Sequence, residues 1–244
     1  MANYNTVRRA GSATMGAEID AGLRAHMNKV YGLMAIAMVI TGMVSYAFGS
    51  SDALLSILRD PITLRPNILG FAVMFAPLGM VMFMGAAVNK MSQAGAQLFF
   101  YVFAALMGMS LSWIFAVYTD VSILKTFLVT AISFASLSLY GYTTKKDISA
   151  WGSFLIMGVI GLVVAMIVNI FLQSAALDFA VSALGVLIFA GLTAYDTQKI
   201  KTMYLQAAQA GAETGKMAIF GALNLYMDFI NLFMFLLRFM GSRE

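Results

Sequence analysis

Two aspartates interrupt the most apolar part of the chain. Asp196 lies in VSALGVLIFAGLTAYDTQKI (181–200) and Asp228 in MAIFGALNLYMDFINLFMFLLRFM (217–240). A charged side chain at the centre of a bilayer costs about 2.5–3.5 kcal/mol on insertion scales, so acids in two consecutive apolar segments call for a reason. Two carboxylates that meet in a low dielectric cannot both ionise readily, and one shared proton is expected. Such a pair can sense protons, hold a cation weakly or act as acid and base. For Asp196 there is also a plain reading, an interfacial ion pair with Lys199 three residues on. Asp228 sits in mid-segment, ten residues from Arg238, and escapes less easily.

The neighbours of each acid share its helical face. Asn224, Asp228, Asn231 and Arg238 stand at i, i+4, i+7 and i+14, one stripe of a helix. The rest of that helix is apolar, so its single polar face should point inward, as in the middle of a bundle. Thr193, Asp196 and Thr197 form a smaller patch on the preceding segment. With a rise of about 1.5 Å per residue, two antiparallel neighbours place Asp196 and Asp228 at similar depth.

The elements that position these residues follow from composition. Of 244 residues, 61% are hydrophobic and 11% are charged, against roughly 25% charged in soluble domains. The apolar runs are continuous rather than alternating, which excludes a transmembrane barrel and leaves an all-α polytopic membrane protein. Uncharged windows of about 20 residues suffice to span a bilayer. They predict seven spans, at about 30–49, 67–89, 98–117, 126–143, 151–172, 179–200 and 217–239. Residues 1–28 read as a polar tail and 29–240 as the transmembrane domain, with the last helix central. The turn-like MSQAGAQ (91–97) precedes span three, and Asp52–Pro66 reads as a loop with at most one amphipathic turn.

Arg8, Arg9, Arg24, Lys29, Lys90, Lys145, Lys146, Lys199, Lys201 and Lys216 fall on one side of this topology. Arg59, Arg65, Lys125, Arg238 and Arg243 fall on the other. The excess places the N-terminus in the cytoplasm and the C-terminus outside. The net charge of +4 is thus topological and does not indicate nucleic acid. There is no cysteine, which excludes disulfides, iron–sulfur clusters and thiol catalysis. The single His26 cannot build a multi-histidine metal site and reads as an interfacial residue. The N-terminal stretch is polar for too long to be a signal peptide. Ala104, Gly108 and Ser112 form a small-residue face on span three, and Gly158, Gly161 and Gly185 are similar candidates for close helix packing.

Three segments carry a family resemblance: SLYGYTTKKDISAWGSFLIMG (138–158), GVLIFAGLTAYDTQKIK (185–201) and NLYMDFINLFMFLLR (224–238). With these the sequence resembles the bacterial branch of the Bax inhibitor-1 (transmembrane Bax inhibitor motif) family. The resemblance implies a seven-helix bundle around the last helix and a pH-sensitive calcium leak in the bacterial inner membrane. It also implies that Asp196 and Asp228 are the proton-sharing pair that governs opening. The family's closed state uses an arginine near the cytoplasmic end of span two. Here Lys90 is the closest cation, so the latch falls to Lys90, or to Arg238, and Lys90 acts as a point charge without bidentate geometry.

The first functional expectation is therefore a cation leak, calcium being the transported ion rather than a cofactor. Calcium takes about six to eight oxygens. Asp196, Asp228, Asn224, Asn231 and Thr193 supply few, so binding at the two carboxylates should be weak and transient, as conduction requires. The resemblance also implies an alternative, a modulator that binds a membrane-embedded ATP-dependent protease or another membrane partner through its N-terminal tail. A third reading, an intramembrane aspartyl protease, needs Gly-x-Gly-Asp where this chain has Leu225-Tyr226-Met227-Asp228. It also needs a proline-containing loop on a later helix, whereas the prolines are Pro61, Pro66 and Pro77. The expectation is that the protein is not an enzyme.

Overall fold

The computed structural model describes residues 2–60, 63, 65–87 and 90–242, with the side chains of 2–17 and 84–87 outside the description. The side chains of Arg8 and Arg9, together with Arg243 and residues 88–89 of the predicted second span, therefore lie outside the description. Eight α-helices follow in order: α1 (Ala2–Ser50), α2 (Asp52–Leu58), α3 (Ile68–Ala87), α4 (Gln93–Leu111), α5 (Asp120–Thr143), α6 (Trp151–Leu172), α7 (Ala175–Gln209) and α8 (Gly215–Met240). A 3₁₀ turn, Ser112–Ala116, extends α4. Among the described residues, six helices are long and apolar enough to cross a membrane: those beginning at Glu18 (within α1), Gln93, Asp120, Trp151, Ala175 and Gly215. The predicted second span corresponds to α3, whose described apolar part, Ile68–Phe83, is shorter.

Helix starts are set by hydroxyl caps that satisfy otherwise orphaned N–H groups. Ser92 accepts from the Gly95 amide at 3.1 Å, Thr119 from Ser122 at 3.2 Å and Ser174 from Leu177 at 3.3 Å. Ser92 thus starts α4 inside the segment expected to be a turn before span three. Between α6 and α7, Gln173 takes a left-handed backbone with φ 48, and Asn169 Oδ1 accepts from the Ser174 amide at 2.9 Å. The loop after α2 closes through Asp60 N–H to Arg65 O at 2.9 Å and Asn67 N–H to Leu58 O at 3.0 Å.

The expected boundary between tail and span one at residue 28 does not exist as a structural break. Helix α1 runs through it, with Leu23, Met27 and Val30 buried on one face. The periodic apolar face extends a turn and a half into the polar-looking segment, and packing rather than average hydropathy decides where the helix belongs.

Helix α8 is the axis. Its most apolar window is 67% buried, against 33% or less in each of the other five long helices. It packs against α1, α4, α5 and α7, while α6 leans mainly on α7 and α3 on α2 and α4. The small-residue face on α4 works as expected. A Cβ on Gly108 would stand 2.6 Å from the Thr41 carbonyl oxygen of α1, so the two backbones touch there. Gly158 and Gly185 likewise sit against Ile188 and Phe235, whereas Gly161 faces open space.

Candidate functional site

Three polar assemblies join α8 and α7 to the rest of the bundle. The first fixes α8. Tyr226 is fully buried, with the Phe100 and Phe103 rings of α4 edge-on at 5.7 Å each. The Thr41 hydroxyl donates to the Ala104 carbonyl at 2.9 Å. Its one proton is thereby used, so at the 2.7 Å contact Tyr226 O–H donates and Thr41 accepts. Helices α1, α4 and α8 meet at this point.

The second assembly fixes α7. Thr197 donates to the Thr193 carbonyl at 2.7 Å, which makes Ser138 of α5 the donor at the 2.9 Å contact with Thr197. Tyr31 of α1 then donates to Ser138 at 2.6 Å. The result is a directional relay from Tyr31 through Ser138 and Thr197 to the α7 backbone. Thr193, fully buried, bonds back to the Phe189 carbonyl at 2.8 Å. Nothing in the sequence pattern marks Tyr31, Ser138 or Thr41, because each is one of several hydroxyl residues on its span and no spacing distinguishes it.

Between these fixed points lies the third assembly, the acid pair. The structure brings Asp196 and Asp228 together: their carboxyl groups lie close enough to interact with each other, the arrangement in which one proton can be shared. Asp228 is 5% exposed, and its Oδ2 is buried with no hydrogen-bond partner. A buried carboxylate oxygen without a partner is uncommon and costly in a native structure. Asp196 is less deeply placed, and the nearest cationic influence on it is Lys199 one turn on. Lys199 acts on Asp196 from a distance, with no ion-pair contact between the two among the described residues, and its ammonium stands over the Tyr195 ring.

The polar stripe of α8 does not form the continuous inward face expected of it. Asn224, two and a half turns into the helix, is exposed. Asn231 turns its Nδ2 onto the Met227 carbonyl of its own helix at 2.8 Å. Arg238 reaches the Met166 sulfur of α6 at 3.8 Å and stands about 15 Å further along the helix than Asp228, at 1.5 Å per residue. A helix surrounded on all sides can satisfy polar groups locally, so shared register does not force convergence. Of the five candidate ion-pathway residues, Asp196 and Asp228 meet, Thr193 is buried in α7 on its own helix's backbone, Asn224 lines a cavity with Lys199, and Asn231 bonds to its own helix. Lys90, the candidate latch cation, is exposed in the short turn before α4. Lys199 is the cation that acts on Asp196.

His26, read as an interfacial residue, is instead 6% exposed and stacks on Tyr204 of α7 at 4.7 Å with a 35° tilt. Its Nε2 has no partner. It lines a cavity of about 100 Å³ together with Lys199, Phe220 and Asn224, one turn from each acid. Among the described residues no group of three or more histidine and acidic side chains could hold a metal ion. Two carboxyls that meet can exchange a proton, make a low-affinity contact with a passing cation, or act as acid and base.

Known proteins resemble this chain over most of its length. The profile of the family described as "Inhibitor of apoptosis-promoting Bax1" matches residues 23–244. The chain is 46% identical to an uncharacterized protein of Caulobacter vibrioides, with 93% of this chain and 92% of the relative aligned. It is 44% identical to an uncharacterized protein of Rickettsia prowazekii, covering 92% of each. It is also 44% identical to the inner membrane protein YbhL of Escherichia coli, covering 92% of this chain and 94% of that one. With a family match over nearly its whole length and relatives of equal span, this helical membrane protein belongs to the Bax inhibitor-1 family.

Proposed function

We propose that the protein is a pH-sensitive cation leak of the bacterial inner membrane, with calcium the ion best suited to it. In this reading it has seven spans, α3 being the second, and a cytoplasmic N-terminus. The observation that carries the proposal is the meeting of Asp196 on α7 with Asp228 on the central helix α8, where Asp228 Oδ2 is buried without a partner. A pair that shares a proton changes charge when that proton leaves, and the added negative charge attracts a cation while repelling its own partner. The two helices it joins are therefore held together in one protonation state and pressed apart in the other. Lys199 takes the place that a span-two arginine has in the family's closed state, offsetting the charge on Asp196. The pair has a proton and ion role with no catalytic step and no cofactor.

Calcium flux into proteoliposomes, read with an entrapped dye at pH 6, 7 and 8, tests this. The wild type should conduct with a pH-dependent rate, and Asp196→Asn and Asp228→Asn should each change the rate and flatten its pH dependence. Cation occupancy at the pair should be weaker at pH 6 than at pH 8. Flux indistinguishable among the three proteins at every pH would sink the proposal.

A further inference from the structure

The end of the bundle that carries the acid pair holds a second hollow, of about 530 Å³, between the 144–149 loop and α7. Four amines line it: Lys145 and Lys146 from the loop, Lys199 and Lys201 from α7. Its one acid is Asp147, and that carboxylate is turned onto its own loop, where Oδ1 accepts from the Ser149 amide at 2.9 Å. The loop is held in place from α7. Gln198 Nε2 donates to the Lys146 carbonyl at 2.8 Å and Gln198 Oε1 accepts from the Ile148 amide at 2.9 Å. Lys201 Nζ donates to the Tyr142 carbonyl at 2.8 Å, which spends one of its three N–H groups. Lys199 Nζ stands 5.8 Å over the Tyr195 ring. Among the described residues the Lys145 and Lys146 ammonium groups have no hydrogen-bond or ion-pair partner. Four positive charges around one hollow, with the sole carboxylate turned aside, match the charge and acceptor oxygens of a phosphate.

The surroundings say what carries the phosphate. Trp151 opens α6 beside this loop at 48% exposed, and Tyr140 lies on the last turn of α5. Trp and Tyr gather at the headgroup level of a bilayer. One turn deeper, Phe154 and Met157 of α6 are exposed to the lipid, a surface along which acyl chains can run. We propose that this hollow binds the phosphate-bearing headgroup of an anionic phospholipid. Lys199 belongs both to the hollow and to the surroundings of Asp196, so lipid occupancy bears on the acid pair. That last step rests on the proposed leak; the binding itself does not.

The test reads lipid occupancy, independently of calcium flux, by native mass spectrometry of the purified full chain in detergent. The probes are phosphatidylglycerol and phosphatidylcholine with identical acyl chains, with inorganic phosphate added as competitor. Wild type should retain phosphatidylglycerol in preference to phosphatidylcholine. Each amine near an anionic surface contributes about fivefold, so Lys145→Ala with Lys146→Ala should weaken phosphatidylglycerol about 25-fold. Both positions are exposed, and unchanged thermal unfolding verifies that the variant is folded. Lys125→Ala with Lys216→Ala, which removes the same charge elsewhere, should leave the preference intact. Equal retention of the two lipids, equal loss in both double variants, or displacement of the lipid by inorganic phosphate would each overturn the assignment.

Discussion

Thr41→Val and Tyr226→Phe, made singly and together, test how the central helix is anchored. Tyr226→Phe keeps the ring between Phe100 and Phe103 and removes only the donor to Thr41, whose own bond to the Ala104 carbonyl survives. Interhelical hydrogen bonds in membranes average about 0.6 kcal/mol and reach about 1.7, so a loss of about 1 kcal/mol is expected. Thr41→Val removes that acceptor and also the donor to Ala104, leaving the fully buried Tyr226 hydroxyl without a partner. Stranding a buried donor costs about 1–3 kcal/mol, so about 2 kcal/mol is expected here. In the double variant nothing is stranded, and the total should fall about 1 kcal/mol short of the sum of the singles. Reversible unfolding in mixed detergent, or steric trapping in bicelles, measures all three. Additive effects, or Tyr226→Phe costing more than Thr41→Val, would refute the directional donor assignment.

Glycine positions divide by what surrounds them. Gly108→Ala, pressed against the Thr41 backbone, should destabilise by about 1–3 kcal/mol, while Gly161→Ala, which faces open space, should be neutral or slightly stabilising in the same unfolding assay. Gln198→Ala removes both bonds that hold the 144–149 loop. Tryptic cleavage after Lys145 or Lys146 should then accelerate roughly fivefold, as losing about 1 kcal/mol of local stability allows. The two hydrogen bonds from Ser149 hold the Asp147 carboxyl below its ordinary value. What they contribute is present above the ordinary carboxylate pKa and lost as pH falls through the lowered one. Ser149→Ala should move the Asp147 titration upward in an NMR pH series, and no movement would show that the side-chain bond is absent.

The span pattern is legible because hydrocarbon imposes it: with so little charge in the chain, the lysines and the aspartates other than Asp196 and Asp228 mark the span ends. The 151–172 span coincides with α6, and 217–239 falls within α8 (Gly215–Met240). The start of α1 escapes such reasoning because Leu23 and Met27 are isolated among polar neighbours, and only their packing against the bundle reveals their face. His26 escapes it for the same reason, since its surroundings come from Tyr204, far away in sequence.

At the site, residue type and burial cost are enough to single out Asp196 and Asp228, since a carboxylate in an apolar run has few roles. Spacing alone overstates the rest. Asn224, Asn231 and Arg238 share a helical face with Asp228, but a face has length, and each finds its surroundings at a different depth. Composition and charge spacing suffice to make the chain a helical membrane protein with two acids in its last two long apolar segments, because the bilayer penalises anything else. That the two carboxyls come together, and that Lys199 rather than Lys90 acts on Asp196, comes from the packed bundle. So does the role of Thr41 and Tyr226 as the anchor of the central helix. Those contacts depend on the rotation and depth of helices about one another, which packing sets and no single helix encodes.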